Sequence, residues 1–307
     1  YPKIKVVNLD LLTYAANPNN LKPIDKNPQY KFVKGDIGNF PLVDKTLKDN
    51  SVDCVVNFAA ESDNNKAVNN PIDFAKTNAL GTAMLLETAR KNKVKRFHHI
   101  STCEVFGQMP LSSKKSFSEN SPLQPRTPYN ASKAAADHIT KSYFHTFGLP
   151  ITISHCCNNY GSHQFPEKVI PVFILKALKN EPLPVFQSSK NKREWIHVLD
   201  HCKAVDLILC NGKIGEQYNV GTGLEKSIDD IANEILKNLH KPSSLKKIIP
   251  DRPGHDTRYL LNSAKIQKEL GWTPKTKWGD GLKDTVEWYR KNEKWWSPLI
   301  AKSNAWL

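Results

Sequence analysis

Five short runs rich in β-branched residues, separated by stretches of helical periodicity, constrain the fold of this chain more than any other feature. They read KIKVVNL, YKFVKGD, VDCVVNFAA, RFHHIST and PITISHC, all within the first half. Near-continuous apolar runs suit strands covered on both faces, and strands that alternate with helices suit a parallel sheet built from right-handed crossovers. The segment from Asp73 to Lys91 is one of the intervening helices, with Phe74, Ala75, Asn78, Leu85, Leu86 and Ala89 at helical spacing. The expected class is α/β, a Rossmann-like doubly wound parallel sheet.

After about Asn158 the texture changes. Pro166, Pro171, Pro182 and Pro184 punctuate the chain, a helix-like VIPVFILKALKN is followed by the turn-rich VFQSSKNKREW, and DDIANEILKNLH has the pattern of an amphipathic helix. Residues 1–160 are expected to form the sheet domain and residues 161–307 a smaller second domain, with segments around 195–225 returning to the first. The stretch PDRPGHDTRY reads as a loop held by two prolines. Four of the seven tryptophans lie in the tail VEWYRKNEKWWSPLIAKSNAWL. A terminal helix packed on the body accounts for them, with an oligomer contact as the alternative.

Composition narrows the function classes. With 39% hydrophobic and 24% charged residues, the 307-residue chain has the make-up of a soluble globular protein. No apolar run approaches the roughly 20 residues that span a bilayer, and the first residues lack the pattern of a secretory signal, so the expectation is a cytoplasmic protein without membrane contact. The net charge of +14 comes from lysines scattered along the chain, which argues against nucleic acid and suits a small anionic substrate. The six cysteines form no CxxC pair, so neither a metal site nor a disulfide framework is expected.

The strongest chemical signal is YNASK, in which Tyr129 and Lys133 stand four apart at the head of a helix preceded by Pro128. That spacing puts both on one helical face. A lysine ammonium beside a phenol favours the phenolate, turning a group of ordinary pKa about 10 into a base usable near neutrality. Upstream, the stretch STCEVFG follows a strand, where ligands gather in open parallel sheets. The adjacent His98 and His99 read as packing residues within that strand.

These stretches, together with NLDLLTYAAN, NFAAES, TNALGT, PYNASKAAADH, NNYGSHQFPEKVIP, DRPGHDTRY and GLKDTVEWY, resemble the extended short-chain dehydrogenase/reductase family end to end, in its dTDP-glucose 4,6-dehydratase branch. The resemblance implies an NAD-dependent lyase that makes a 4-keto-6-deoxy sugar for deoxysugar biosynthesis. Tyr129 would deprotonate the sugar C4 hydroxyl, Glu104 would remove the C5 proton, and an adjacent acid would protonate the departing C6 hydroxyl. Thr102 would hydrogen-bond near C4, and Lys133 would also hold the nicotinamide ribose. A C4 ketone acidifies the C5 proton, so a base and an acid must serve neighbouring carbons.

The same resemblance implies NAD contacts at Asp10, Leu11, Leu12, Thr13, Asp36, Ile37, Ala59, Ala60, Glu61, Ser62, Thr77, Tyr129, Lys133 and Asn159. Asp10, closing the first strand, is placed like the acid that accepts from the ribose 2′-hydroxyl and disfavours NADP. Asn158, Lys168, Val169, Arg193, Arg252 and His255, with Thr102, fall on nucleotide-sugar positions; an arginine fork grips phosphate oxygens through two hydrogen bonds. The family also implies a homodimer assembled through helices that include the one carrying Tyr129.

The chain departs from the family pattern at several points. No glycine-rich turn lies near its start, and it opens at what should be the second strand, which makes an N-terminally truncated fragment the expectation. Cys103 stands where the family has aspartate in TDEVYG, and Phe106 replaces its tyrosine. A thiol of ordinary pKa about 8.5, against about 3.9 for the carboxyl, keeps its proton at neutral pH and donates hydrogen bonds weakly. ESDNNK replaces ESHVDR, bringing Asp63 and Lys66, and Ile228 falls where a substrate-contacting asparagine is expected. Asp63 is an acid where an anionic ligand would be faced. Two rival readings stand beside the dehydratase: a nucleotide-sugar 4-epimerase, which needs the tyrosine and lysine but no acid and base for C6 and C5, and a non-catalytic binding protein.

Overall fold

The structure is a computed structural model that describes residues 3–251 and 253–303. In chain order the strands are β1 (Val6–Asp10), β2 (Tyr30–Lys34), β3 (Cys54–Asn57), β4 (Arg96–Thr102), β5 (Ile151–Cys156), β6 (Asn158–Tyr160), β7 (Leu183–Phe186), β8 (Lys192–His197), β9 (Gln217–Val220), β10 (Glu225–Ser227) and β11 (Lys246–Ile249). The α-helices are α1 (Phe40–Asp49), α2 (Asn64–Asn69), α3 (Pro71–Phe74), α4 (Thr82–Lys91), α5 (Pro128–Phe147), α6 (Val169–Leu178), α7 (Val198–Asn211), α8 (Ile228–Asn238), α9 (Ala264–Leu270), α10 (Trp278–Lys291) and α11 (Glu293–Ser303).

Two compact units result. The first takes in Tyr1–Gly107, Pro122–His155 and Leu207–Tyr218; the second takes in Gln108–Ser121, Cys156–Asp206 and Asn219–Leu307. In the first unit β1 and β2 pair in parallel, from Val6 opposite Tyr30 to Asp10 opposite Lys34. A second sheet has the order β3-β4-β5-β9, with β3 and β4 parallel. The Rossmann-like α/β reading thus holds, with the strands divided between two sheets.

The core of this unit is built from the apolar faces that periodicity marks. Leu85, Leu86 and Ala89 of α4 pack with Val43 and Leu47 of α1, Phe97 of β4, and Ile151 and Ile153 of β5. The single helix expected over 73–91 is instead three pieces: α3, a π-helical segment over Ala75–Gly81, and α4. The wider turn carries extra residues per revolution and rotates the face, so Asn78 and Gly81 are buried while Ala75 is exposed.

In the second unit β8 pairs in parallel with β6 and antiparallel with β10, while β7 and β11 form a parallel pair. Its core joins Phe173 and Ile174 of α6, Ile231 and Ile235 of α8, and Leu282, Val286 and Tyr289 of α10 with Trp195 of β8. α8 starts at a reciprocal cap in which Ser227 and Asp230 each bond the other's backbone N–H. Of the tail tryptophans, Trp296 is buried in this core and Trp288 and Trp295 pack at its edge, whereas Trp306 lies outside the described residues. No helix among the described residues is long and apolar enough to cross a membrane.

Candidate active site

β4 is buried for almost its whole length and ends at Thr102. Thr102 then caps a 3-10 turn over Cys103–Phe106, its Oγ1 accepting from the Glu104 N–H at 3.3 Å. Gly107 closes the turn at φ +83°, where a Cβ would overlap the Gln124 carbonyl oxygen, so both the backbone sign and the space require glycine. Phe106 packs on the His155 ring at 4.9 Å. Cys103 is 1% exposed, whereas Glu104 is half-buried.

α5 shows the start and stop signals that its sequence carries. Thr127 accepts from the Asn130 N–H at 3.2 Å, Pro128 occupies the first turn, and Gly148 ends the helix in the left-handed region at φ +66°. Tyr129 and Lys133 share one face and both are buried. The Tyr129 ring meets Phe74 edge-on at 6.3 Å, and Lys133 Nζ donates to the Ile100 carbonyl at 2.6 Å. Lys133 is thereby tied to β4 just ahead of Thr102.

One turn beyond Lys133, on the same face, lies Asp137, fully buried. It accepts from Ser101 Oγ at 2.8 Å and from His155 Nε2 at 3.1 Å, and His99 Nε2 stands 3.6 Å from its other oxygen. Burial pushes its carboxyl up, but His155, His99 and the Lys133 charge outweigh burial and hold it below the usual range. Burial, with the nearby Lys133 charge, holds His99 well below the usual histidine value. His98 engages Thr152 and Ser154 at 2.9 and 3.1 Å. Both β4 histidines are thus interior polar packing.

Two asparagines that motif reading did not single out frame this site. Asn78 exchanges bonds with the backbone of Glu61 at 2.8 and 2.9 Å and donates to Ser132 Oγ at 2.8 Å, joining the Ala59–Ser62 loop to α5. Asn64 donates to Glu104 Oε2 at 3.1 Å and accepts from Thr127 Oγ1 at 2.9 Å. Asp63, read as an acid at a substrate-side position, faces inward as the cap of α2, accepting from the Lys66 N–H at 2.9 Å. Lys66 lies over the Tyr14 ring, 2.7 Å from its centroid.

The remaining first-unit candidates gather after strand ends. Asp10 closes β1, with one oxygen accepting from the Leu12 N–H at 2.7 Å, and Leu12 takes a left-handed φ of +56°. Leu11 and Thr13 flank it and are exposed. Asp36, after β2, accepts from the Gly38 N–H at 2.7 Å, and Ile37 is buried against α4 and α1. Ala59, Ala60, Glu61 and Ser62 follow β3, where Asn57 accepts from the Ala59 N–H at 3.2 Å. Thr77 is half-buried in the π-helical segment.

Second-unit candidates separate into two groups. Asn158 pairs with Trp195 across β6 and β8, and its Oδ1 is buried with no partner among the described residues. Asn159 meets His201 Nδ1 at 3.0 Å and donates to the Cys157 carbonyl at 3.2 Å. Lys168 precedes α6, 3.4 Å from Glu167, and Val169 is the first helical residue. Arg193 spends its guanidinium on the carbonyls of Lys192, Asp256 and Thr257 and stacks on Tyr259 at 4.6 Å. It clamps Asp256 and Thr257. His255 meets Ser188 Oγ at 3.1 Å and lies 3.7 Å from Asp251. Ile228 is buried as the first residue of α8, and Arg252 lies outside the described residues.

The family model described as GDP-mannose 4,6 dehydratase matches residues 1–285. The chain is 42% identical to the dTDP-glucose 4,6-dehydratase of Streptomyces niveus over 98% of its own length and 88% of that protein. It is 43% identical to the dTDP-glucose 4,6-dehydratase of Xanthomonas campestris pv. campestris, over 95% of this chain and 88% of that one. Among solved structures, DesIV of Streptomyces venezuelae, a dTDP-glucose 4,6-dehydratase crystallised with NAD bound, superposes with a TM-score of 0.93 at 43% identity, covering 96% of this chain and 90% of that one. The UDP-glucose 4-epimerase of Thermotoga maritima reaches 0.87 at 26% identity, covering 94% and 92%.

Proposed function

Because the chain belongs to the nucleotide-sugar 4,6-dehydratase family of extended short-chain dehydrogenases/reductases, we infer that it converts dTDP-glucose to dTDP-4-keto-6-deoxyglucose with NAD, a lyase reaction of deoxysugar biosynthesis. The first unit holds the proposed reacting groups and the proposed cofactor contacts except Asn159, and the second holds the proposed nucleotide-sugar contacts except Thr102.

The residues present fit NAD. Asp10 offers a carboxylate at a strand's carboxyl end, one oxygen held by the Leu12 N–H, the chemistry that accepts from a ribose diol. Asp36 and the Ala59–Ser62 loop follow the next strand ends, and the loop is held from behind by Asn57 and Asn78. When bound, NAD supplies the hydride acceptor for C4 and the hydride donor for C6.

The chain's own groups handle the protons. Tyr129 takes the C4 hydroxyl proton, and Lys133, fixed by the Ile100 carbonyl, keeps a cation one turn away on the same helix face. Thr102, next to that carbonyl's strand end, hydrogen-bonds near C4. Glu104 takes the C5 proton that the C4 ketone has acidified. Protonation of the leaving C6 hydroxyl falls to the Cys103 position, where a buried thiol is a poor acid. Asn158, whose Oδ1 has no partner among the described residues, and Lys168, Val169, Arg193, Arg252 and His255 serve the nucleotide and sugar, Arg193 by holding Asp256 and Thr257.

The observation that carries this reading is the retained Glu104, tied through Asn64 to the first turn of the helix bearing Tyr129. A 4-epimerase needs no base for C5. We further propose that the protein works in the cytoplasm as a homodimer; exposed Ile72 and Leu80 beside the Tyr129 helix's neighbours supply apolar surface for a second copy. Incubation with NAD and dTDP-glucose is expected to give the 4-keto-6-deoxy product by mass and by the chromophore of the ketone in base. Ligand bound without product would sink the assignment.

A further inference from the structure

We propose that Asn64 is a positioning residue for Glu104, and that it delivers to the carboxylate a one-way chain of hydrogen bonds that starts at the backbone of α5. The proposal rests on the reading of Glu104 as the C5 base.

Donor and acceptor roles along this chain follow from its first member. The Asn130 N–H donates to Thr127 Oγ1, so that oxygen is an acceptor there. Its single hydroxyl hydrogen then goes to Asn64 Oδ1 at 2.9 Å, which fixes the orientation of the amide. The Nδ2 end faces Glu104, and an amide nitrogen only donates, so Oε2 accepts at 3.1 Å. Every link points toward the carboxylate, and each polarises the next.

Asn64 is itself rigid enough for the task. It is the first residue of α2, whose cap Asp63 is buried and bonded to the Lys66 N–H. Ala67, one turn along α2, is fully buried in a cluster with Phe74 and Tyr129. The backbone under Asn64 is therefore packed against the helix that carries the C4 base.

The consequence is geometric. Glu104 has three side-chain torsions and is only half-buried, so its own surroundings leave it free to turn. The Asn64 bond occupies Oε2 and leaves the other oxygen as the one that meets the C5 proton. A misplacement of about 1 Å of a catalytic group costs up to roughly a hundredfold in rate. Asn64 thereby holds two bases, on different elements, in one frame.

The experiment compares two partial reactions in the full chain loaded with NAD. C4 oxidation is followed as reduced-nicotinamide absorbance in a single turnover, and C5 deprotonation as solvent deuterium uptake at C5. Asn64→Leu is expected to leave oxidation within about twofold while slowing deuterium uptake about ten- to a hundredfold. Asn64→Asp sets a second carboxylate against the first, and the shared proton is expected to move the acidic limb of the uptake profile to higher pH. A residue that merely holds the fold would slow both steps alike and leave the limb in place. That result, or uptake unchanged in both variants, overturns the proposal. Glu104→Gln is the control on the underlying reading: if it leaves uptake intact, Glu104 is not the C5 base, whereas if it abolishes uptake while both Asn64 variants behave normally, only the positioning role fails.

Discussion

At the scale of single residues, Cys103 is the sharpest departure from what the chemistry asks. It is 1% exposed at the start of the turn that Thr102 caps, and it adjoins Glu104, the proposed C5 base. A thiol keeps its proton near neutrality but passes it on poorly through a hydrogen bond. On the proposed mechanism, oxidation at C4 is expected to survive this substitution and loss of the C6 hydroxyl to be the step that slows. Cys103→Asp is expected to raise product formation on the order of tenfold to a thousandfold while leaving C4 oxidation unchanged. Equal rates in the two proteins would show that the position carries no acid. Residue types told only part of this. Tyr129 and Lys133 stood out by their spacing and Glu104 only through the family resemblance of STCEVFG, whereas the capping of α2 by Asp63 is seen only in the structure.

At the scale of elements, the site depends on how short pieces of chain are tied together. Asn78 sits in a π-helical segment and is 1% exposed, and its amide satisfies both the N–H and the carbonyl of Glu61 while reaching Ser132 on α5. Replacing it leaves the half-buried Glu61 N–H without its acceptor, a loss of about 1–3 kcal/mol for each orphaned group. Asn78→Leu is expected to destabilise the protein by about 2–4 kcal/mol in urea unfolding and to weaken NAD binding. Unchanged stability would remove Asn78 from the frame. Helical periodicity across 73–91 foretold the buried faces of Phe74, Leu85 and Leu86, yet not the π segment, because an extra residue per turn leaves no mark in a pattern of apolar spacings.

At the scale of the whole molecule, buried histidines set the acid limit of stability. Burial holds His99 well below the ordinary value of 6.5 and His201 at about 4, and partial burial lowers the half-buried His197. Between the folded and the ordinary values the unfolded chain binds more protons than the fold, so stability rises with pH in that window. It is complete above about 6.5 and is lost as pH falls toward 4. Asp137, held below its ordinary 3.8 chiefly by His155 once burial is outweighed, adds a further loss in more acid solution, of the same sign. His201 alone accounts for on the order of 3 kcal/mol across its window. Urea midpoints measured from pH 7.5 to 4.5 are expected to be level above 6.5 and to fall below it. A flat profile would mean that these rings protonate inside the fold.

The sequence by itself determined the elements and much of the chemistry. The alternation of buried strands and helices gave the α/β class, Thr127, Pro128 and Gly148 bounded the central helix, and a spacing of four put Tyr129 and Lys133 on one face. Such information is local, carried within one turn of helix or one strand. Tertiary structure alone decided which groups serve as partners. Asn64 lies 40 residues from Glu104 and 63 from Thr127, and Arg193 meets the carbonyl of Asp256 across 63 residues. No periodicity links positions so far apart, and a side chain's hydrogen bonds are chosen only when packing removes it from water and leaves those groups as the partners within reach.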